Sequence, residues 1–292
     1  MKRIAVIGPG AIGGTVIVRL AQTKEHNVIV CARSAISQFN LEAPEGTMTA
    51  MPEVLLSPHQ ARAVDWVLVA TKAYDAAAIA PWFEPLTGPE TRLAVLQNGV
   101  EHVKRFAPFF SESRIVTVVV EMPVERKAAG SFWQRRTGHF TVLSNPNGEQ
   151  FARLFHKTGI EVVLADDFTT AVWRKLAINC AGAVSALVLK PSSIARRTDI
   201  ADIMRSLIRE CIAVGRAEGA SLDDSLVESV LDGYRKSPAD SINSMHADRI
   251  AGRPMEIDTR NGVVVRLGRK HGISTPVNQM IVALLEAVNP GS

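Results

Sequence analysis

The chain has 292 residues, of which 47% are hydrophobic and 21% are charged. This ordinary balance excludes disordered and fibrous proteins, and the length suggests about two domains. The net charge of +4 comes from basic residues scattered along the chain, and only 5% of the residues are aromatic. A diffuse positive excess without a base-stacking surface favours a small anionic ligand and argues against a nucleic-acid partner.

The three cysteines, Cys31, Cys180 and Cys211, are far apart and form no C-x-x-C motif. We therefore expect reduced, buried thiols and no metal site. The first residues, MKRIAVIG, contain too few apolar side chains for a signal peptide. The longest apolar stretch, residues 176–189, is too short to cross a bilayer. The expectation is a soluble, cytoplasmic protein with no membrane partner.

The first half of the chain alternates short apolar strands with helical segments. The predicted elements are strand 3–7, helix 11–23, strands 27–32, 66–70, 93–96 and 114–120, a hairpin of 132–136 with 139–143, and strand 160–164. Strand–helix–strand order with short apolar strands predicts a mostly parallel sheet covered by helices on both faces.

Strand patterns cease after about residue 167, and helical periodicity takes over. The predicted helices are 169–189, 200–218, 223–234, 257–271 and 276–288. We therefore predict an α/β domain in residues 1–167 and an all-helical domain in residues 168–292, packed on each other across a cleft.

A glycine-rich segment, GPGAIG, joins the first strand to the first helix and matches G-x-G-x-x-G. In such a loop Gly8 permits the tight turn, Gly10 lets a pyrophosphate approach the backbone, and Gly13 lets the helix lie close to the sheet. Ala11 and Ile12 open the helix, whose first amides bind phosphates. Ordinary turns also contain this pattern, but the strand-to-helix context favours a dinucleotide site.

The end of the second strand indicates which dinucleotide is bound. NAD sites place an Asp or Glu there for the ribose hydroxyl, whereas this chain has Cys31-Ala32-Arg33-Ser34. Arg33 can pair with a 2′-phosphate, and Ser34 adds a hydroxyl. NADP(H) is therefore the predicted cofactor; the alternative is that Arg33 is only a solvated residue at a strand end.

Two further loops follow predicted strands, at the edge where open parallel sheets bind ligands. Lys72 lies in the first, TKAYD, and Asn98 lies in the second, LQNGV. Both are candidates for contact with the cofactor or the substrate. The Asn98-Gly99 pair is also typical of a simple tight turn, and that interpretation stays open.

In the first helix of the second domain, Lys175, Asn179 and Ala183 recur every four residues and so share one face. A lysine at the edge of a buried face is a candidate general acid, because desolvation lowers the pKa of an ammonium group. The alternative is a surface lysine whose stem covers the core.

A polar segment, residues 241–248 (SINSMHAD), precedes Glu256, which stands at the predicted start of a helix. An acid at that position also stabilises a helix through its dipole, so a purely structural role for Glu256 is the alternative to a role in the site.

Taken together, the motifs resemble the ketopantoate reductase (2-dehydropantoate 2-reductase) family. They are GPGAIGG at 8–14, TKAYD at 71–75, LQNGV at 96–100, KLAINC at 175–180, SMHADRIAGRPMEIDTRNG at 244–262 and HGISTPVN at 271–278. The resemblance covers nearly the whole chain. It implies an N-terminal Rossmann-type, doubly wound sheet, a helical C-terminal domain that supplies substrate and catalytic residues, and the NADPH-dependent reduction of 2-dehydropantoate to (R)-pantoate in pantothenate biosynthesis.

Carried over residue by residue, the resemblance makes Lys175 the proton donor to the ketone oxygen and Glu256 the acidic residue that acts with it. Asn98, Asn179 and Ser244 match positions that contact the substrate or hold the nicotinamide end. Lys72 and Asn98 match positions near the cofactor.

One position departs from the family pattern, which often has Asn where this chain has Ala183. A missing amide would leave a substrate hydroxyl unpaired, at a cost of about 1–3 kcal/mol. A related reductase of another 2-oxo acid is therefore the alternative function, and a binding protein without turnover is a more distant one. The sequence leaves the oligomeric state open, with a homodimer among the possibilities.

Overall fold

The computed structural model describes residues 1–290, which form two compact units. The first unit, the sheet unit, comprises Met1–Gln97 and Glu101–Phe168. The second, the helical unit, comprises Thr169 onward together with Asn98–Val100 from the loop after a sheet strand. Three residues of the N-terminal half are thus built into the helical unit, and Asn98 is one of them.

The sheet unit contains thirteen strands among the described residues. They are β1 Lys2–Ile7, β2 His26–Cys31, β3 Phe39–Ala43, β4 Gly46–Ala50, β5 Glu53–Leu55, β6 Val64–Val69, β7 Thr87–Val95, β8 Ile115–Thr117, β9 Val119–Glu121, β10 Val124–Ala128, β11 Ser131–Gln134, β12 His139–Leu143 and β13 Glu161–Ala165. Six form one parallel sheet in the order β5-β2-β1-β6-β7-β8. Numbered along the chain, this order is 3-2-1-4-5-6, the doubly wound order of Rossmann folds. The predicted fold class is confirmed.

Both faces of the central strands of the six-stranded sheet are buried, which explains why β1, β2 and β6 contain continuous apolar runs. The helices of this unit are α1 Ala11–Gln22, α2 Ala76–Ile79, α3 Phe83–Leu86, α4 His102–Phe106 and α5 Pro146–Leu154. In β1, Ile4 and Val6 join a core formed with α1 and α5, whereas Ala5 and Ile7 join a second core formed with α2, α3 and α4. Helices therefore cover both faces of the sheet.

The predicted hairpin of 132–136 with 139–143 is wrong. β11 lies in a four-stranded sheet of order β10-β11-β3-β4, whereas β12 lies in a three-stranded sheet of order β13-β12-β9. The strands themselves were placed correctly, but β11 pairs with β10 and β3, and β12 pairs with β9 and β13. Phe132 of β11 is fully buried against α1, where a Cβ on Gly14 would come within 2.0 Å of its ring. Packing against α1, and not a local turn, determines where β11 lies.

The helical unit has one apolar core. Its helices are α6 Phe168–Ala181, α7 Ala183–Val188, α8 Thr198–Ala217, α9 Leu226–Lys236, α10 Ser244–Ile250, α11 Val263–His271 and α12 Pro276–Glu286. The single helix predicted for 169–189 is interrupted at Gly182, whose Cβ would lie 2.6 Å from the Tyr234 hydroxyl. The helix predicted for 257–271 begins as a π-helical turn, Asp258–Gly262, before α11. Helix α10 was not predicted.

One segment, α6 with α7 (Phe168–Val188), is long and apolar enough to cross a membrane by length and composition alone. It is longer than the stretch considered from sequence because the apolar character starts before residue 176. However, 61% of the window is buried inside the protein. Trp173, Leu176 and Ala177 belong to the core of the helical unit, so this segment packs as a core helix.

All three cysteines are buried and unpaired, as expected. Burial raises the pKa of the Cys31 thiol to about 12. Because the thiolate is the reactive form, Cys31 is chemically inert at neutral pH.

Candidate active site

The carboxyl ends of the central strands bring the predicted cofactor loops side by side. The backbone N–H of Gly8, just after β1, donates to the carbonyl of Cys31 at the end of β2 (3.3 Å). On the other side, the N–H of Ala70, just after β6, donates to the carbonyl of Ile7 (2.9 Å). The strand order reverses between β1 and β6, and this is the position where open α/β sheets bind ligands.

The glycine loop has the geometry that a dinucleotide phosphate requires. Gly8 has a φ of +93°, and a Cβ there would lie 2.6 Å from Thr71 Cγ2. A Cβ on Gly13 would lie 2.1 Å from the Gly8 carbonyl oxygen, so α1 can approach the loop only with glycine at 13. In contrast, a Cβ on Gly10 would meet no described atom within 4 Å. The loop backbone is thus close-packed on the protein side and open at Gly10.

The start of α1 carries the electrostatic features of an anion site. Gly10 is the N-cap and offers no side chain to the first helical amides, and the first turn, which includes Ala11 and Ile12, contains no acid. The helix has 12 residues, long enough for its dipole to favour an anion at this end. These residues fit the phosphates of a dinucleotide.

Around this loop, Arg33 is exposed just beyond the end of β2, and Lys72 is half-buried at the start of a short 3₁₀ turn after β6. No acidic residue occurs between Cys31 and Phe39. The Lys72 segment is held by Gln97, whose buried amide Nε2 donates to Thr71 Oγ1 and to the Lys72 carbonyl, both at 3.2 Å. Sequence reasoning missed Gln97, although a polar residue directly after a buried strand was its signal.

In the helical unit, three predicted site residues form a hydrogen-bonded cluster. The Asn98 amide Nδ2 donates to Glu256 Oε2 at 2.9 Å, and Asn179 Nδ2 donates to Asn98 Oδ1 at 3.3 Å. Asn179 and Glu256 are 8% and 6% exposed. Glu256 precedes the π-helical turn by two residues, so it does not lie within the helix that was predicted to start there. Its carboxylate accepts a hydrogen bond from a side chain, a function separate from stabilising a helix dipole.

Lys175 lies on α6 one turn before Asn179, which places both residues on the same helix face. It is half-buried, between exposed Arg174 and buried Leu176. A half-buried lysine at the edge of a core helix is a candidate proton donor.

Ser244 is the first residue of α10, and its neighbour Asn243 fixes it there. Asn243 Oδ1 accepts from the His246 N–H (3.0 Å) and caps the helix, while Asn243 Nδ2 donates to the Gly182 carbonyl (2.8 Å). The N-cap thus ties the start of α10 to the α6–α7 junction. Residues 241–248 were predicted as polar donors, but their helix and this capping asparagine were missed.

Arg260, in the π-helical turn, is a second residue that sequence reasoning missed. Its Nη2 donates to Ser244 Oγ at 3.0 Å and to Asn179 Oδ1 at 3.4 Å. The side chain is 3% exposed. The signal was an arginine on the buried side of a predicted helix, where a charge needs a specific partner. Arg260 extends the cluster from Glu256 through two asparagines to Ser244.

The doubly wound sheet, the glycine loop and the buried acid–amide cluster define a Rossmann-type oxidoreductase with a separate helical unit. The chain belongs to the ketopantoate reductase PanE/ApbA family: the family model matches residues 4–147, and the model of its C-terminal region matches residues 167–289. The sequence resemblance is thereby confirmed.

Among curated relatives, a 2-dehydropantoate 2-reductase of Caulobacter vibrioides is 54% identical over 98% of this chain and 99% of its own length. One from Mycobacterium tuberculosis is 39% identical, covering 99% of this chain and 98% of the relative. The crystal structure of 2-dehydropantoate 2-reductase from Geobacter metallireducens GS-15 has a TM-score of 0.91 at 26% identity, with coverage of 98% and 100%.

Two more distant structures share the fold. A dimeric ketopantoate reductase from Staphylococcus aureus has a TM-score of 0.87 at 24% identity. A D-mandelate dehydrogenase solved with NADH and anilino(oxo)acetate has a TM-score of 0.88 at 19% identity. At these identities the two likenesses concern the fold alone.

Proposed function

We propose that this protein reduces 2-dehydropantoate to (R)-pantoate, the reductive step of pantothenate biosynthesis, with NADPH as the hydride donor. The observation that carries the proposal is the buried cluster of Asn98, Asn179 and Glu256, one helical turn from Lys175. The cluster supplies a carboxylate and neutral amide groups, and Lys175 on the same helix as Asn179 supplies the cation that the reaction needs.

The chemistry divides between the cofactor and the protein. The nicotinamide cofactor supplies the hydride that is delivered to the C2 ketone carbon. Gly8, Gly10 and Gly13 give the backbone shape that accepts its phosphates, and the α1 amides bind them. The remaining task falls to the side chains of the helical unit, which must bind the 2-oxo acid and manage charge on the ketone oxygen.

We assign the proton to Lys175. As negative charge develops on the C2 oxygen, its ammonium group stabilises the oxyanion electrostatically and then donates a proton to it, giving the hydroxyl of pantoate. Glu256 provides a fixed negative charge that favours the protonated form of Lys175. Asn98 holds the Glu256 carboxylate, and Asn179 and Ser244 offer polar groups to the substrate.

The preference for NADPH over NADH is supported by the residues that follow β2. Arg33 is exposed, carries no acidic neighbour up to residue 38, and is followed by Ser34. A guanidinium group can pair with the 2′-phosphate, whereas the carboxylate typical of NAD sites is missing from this segment. Lys72 adds a second positive charge in the neighbouring loop.

The proposed function is tested by incubating purified protein with NADPH and a panel of 2-oxo acids and following NADPH consumption. 2-Dehydropantoate should be the best substrate. If another 2-oxo acid is reduced and 2-dehydropantoate is inert, the alternative function motivated by Ala183 replaces the proposal. If the protein binds NADPH but reduces no 2-oxo acid, the alternative of a binding protein without turnover replaces the proposal.

We further propose a cytoplasmic homodimer that acts on a small molecule and has no membrane or nucleic-acid partner. The dimer is supported by the dimeric fold relative from Staphylococcus aureus. Light scattering coupled to gel filtration should give twice the mass of the 31.6 kDa chain; a monomer mass across the working concentration range would contradict it.

A further inference from the structure

Arg260 is a buried cation whose hydrogen-bonding capacity is only partly used. Its side chain is 3% exposed, yet Nε and Nη1 donate to no group within the part of the chain that the structure describes. Among the described residues, Nη2 alone has partners, Ser244 Oγ and Asn179 Oδ1, and both are neutral. Buried polar groups are nearly always bonded, and a buried charge needs a charged or strongly polar partner.

Arg260 lies beside residues of the proposed substrate site. Both Arg260 partners, Asn179 and Ser244, are residues proposed above to face the substrate, and Asn179 continues the hydrogen-bond chain to Asn98 and Glu256. Arg260 also lies in a π-helical turn, Asp258–Gly262, a distortion that is frequent at functional sites because it redirects a side chain.

We propose that Arg260 binds the carboxylate of the 2-oxo acid substrate. A carboxylate oxygen placed beside Nε, or beside Nη1, accepts a charge-assisted hydrogen bond there, and Nη2 is the neighbouring donor on either edge of the guanidinium. The carboxylate neutralises the buried charge and satisfies an unmet donor. The proposal rests on the proposed function only in that the substrate is a 2-oxo acid.

In this proposal Arg260 and Lys175, the two cations that act on the substrate, have separate roles. Arg260 recognises the carboxylate, which lies next to the reacting ketone in every 2-oxo acid, and Lys175 acts on the ketone oxygen. Arg260 therefore selects acids over neutral ketones of the same shape, because a neutral ligand leaves the guanidinium buried without a counterion. The remainder of the site determines which 2-oxo acid is preferred.

The test compares Arg260→Gln, Arg260→Lys and the wild-type protein with 2-dehydropantoate and with ketopantoyl lactone, its neutral cyclic form. Arg260→Gln should raise KM for the acid by about 10- to 100-fold, the range expected for losing a hydrogen bond to a charged group. The kcat should change less, NADPH affinity should be unchanged, and the lactone kinetics should stay within about 3-fold. Arg260→Lys, which keeps the charge, should recover part of the loss.

The matched control is Arg205→Gln, an arginine of the same unit that is already paired with Glu228 and Asp202. It should leave KM for the acid unchanged. An equal loss for acid and lactone in Arg260→Gln, or a fall in kcat at constant KM, would show that Arg260 only supports the fold or orients Asn179, and the proposal would fail.

A measurement on the wild-type protein covers the case in which the variants do not fold. Calorimetric titration should show pantoate binding at least 10-fold tighter than neutral pantolactone. Equal affinities, or no pantoate binding, would overturn the role of Arg260. If 2-dehydropantoate is inert but another 2-oxo acid is reduced, the proposed function fails while the same comparison, made with that acid and its amide, still decides on Arg260.

Discussion

Lys175 is the residue on which the proposed proton transfer depends. Lys175→Ala should lower kcat by about 10²-fold or more, because no other ammonium group is assigned to the ketone oxygen. The affinity for NADPH should be unchanged, since the glycine loop belongs to the sheet unit. Steady-state kinetics together with NADPH fluorescence titration would measure both quantities. Arg174→Ala, which removes the exposed neighbouring cation on α6, is the control; equal kcat values for the two variants would remove Lys175 from this role.

Arg33 tests the choice between the two nicotinamide cofactors. Arg33→Ala should reduce the ratio of kcat/KM for NADPH to that for NADH by about 10- to 100-fold, the amount expected for a charge-assisted hydrogen bond to a phosphate. Exposed Arg62 lies in the same unit, so Arg62→Ala controls for a general change in surface charge. An unchanged ratio in Arg33→Ala would mean that other groups recognise the 2′-phosphate.

At the scale of elements, the loop between β1 and α1 makes two neighbouring glycines behave differently. Gly10→Ala places a methyl group where no described atom lies within 4 Å, and its φ of −76° suits alanine. Thermal stability should therefore hardly change, while NADPH affinity falls at least 10-fold because the methyl group occupies the phosphate position.

Gly13→Ala, in contrast, brings a Cβ to 2.1 Å from the Gly8 carbonyl oxygen. The loop or α1 must move, which should cost about 1–3 kcal/mol of stability in addition to cofactor affinity. Calorimetric melting curves with and without NADPH separate the two effects. Normal NADPH affinity in a well-folded Gly10→Ala variant would place the phosphates elsewhere.

The same elements show how far the sequence alone could predict this molecule. Five of the six strands of the six-stranded sheet, β1, β2, β6, β7 and β8, were predicted, because burial on both faces gives apolar runs. Strands β3, β4, β5 and β10 were not, since their side chains are partly exposed and polar. The hairpin prediction failed for a different reason: periodicity identifies a strand, but only tertiary packing determines its partner.

Predictability within the site follows a similar rule. Residues in recognisable motifs, such as Asn98 and Glu256, could be named in advance, and the structure places those two in hydrogen-bond contact. Gln97 and Arg260 had local signals, but those signals do not reveal the contacts on which their importance depends. Gln97 bonds across 25 and 26 positions of sequence, and Arg260 bonds to Asn179 across 81.

At the scale of the whole molecule, each unit contains a histidine whose loss of solvent makes folding sensitive to pH. Half-buried His26 is in the sheet unit and buried His246 is in the helical unit, and desolvation lowers the pKa of each below its usual 6.5. Well above pH 6.5 both are neutral whether the chain is folded or unfolded. Below it, the unfolded chain takes up protons that the folded protein resists, so the free energy of unfolding falls as the pH falls.

Paired carboxylates act at lower pH, so the two contributions can be separated. The pKa of Glu228, for example, is held below its usual 4.5 by the hydrogen bond from Arg205; the stability it contributes is lost only when the pH falls through that lowered value. Urea unfolding measured from pH 7.5 to 5 should therefore report mainly on the histidines.

We expect the unfolding free energy to decrease steadily from about pH 6.5 downward, and His246→Gln to flatten part of that decrease. His246 is 2% exposed, and its Nδ1 lies 3.1 Å from Ser185 Oγ, so the amide of glutamine can keep a polar contact without taking up a proton. His59→Gln, at an exposed position, should leave the slope of unfolding free energy against pH as it is in the wild-type protein. If His246→Gln and His59→Gln give the same slope, proton uptake at His246 does not contribute to acid unfolding, and other groups, His26 among them, must account for the decrease.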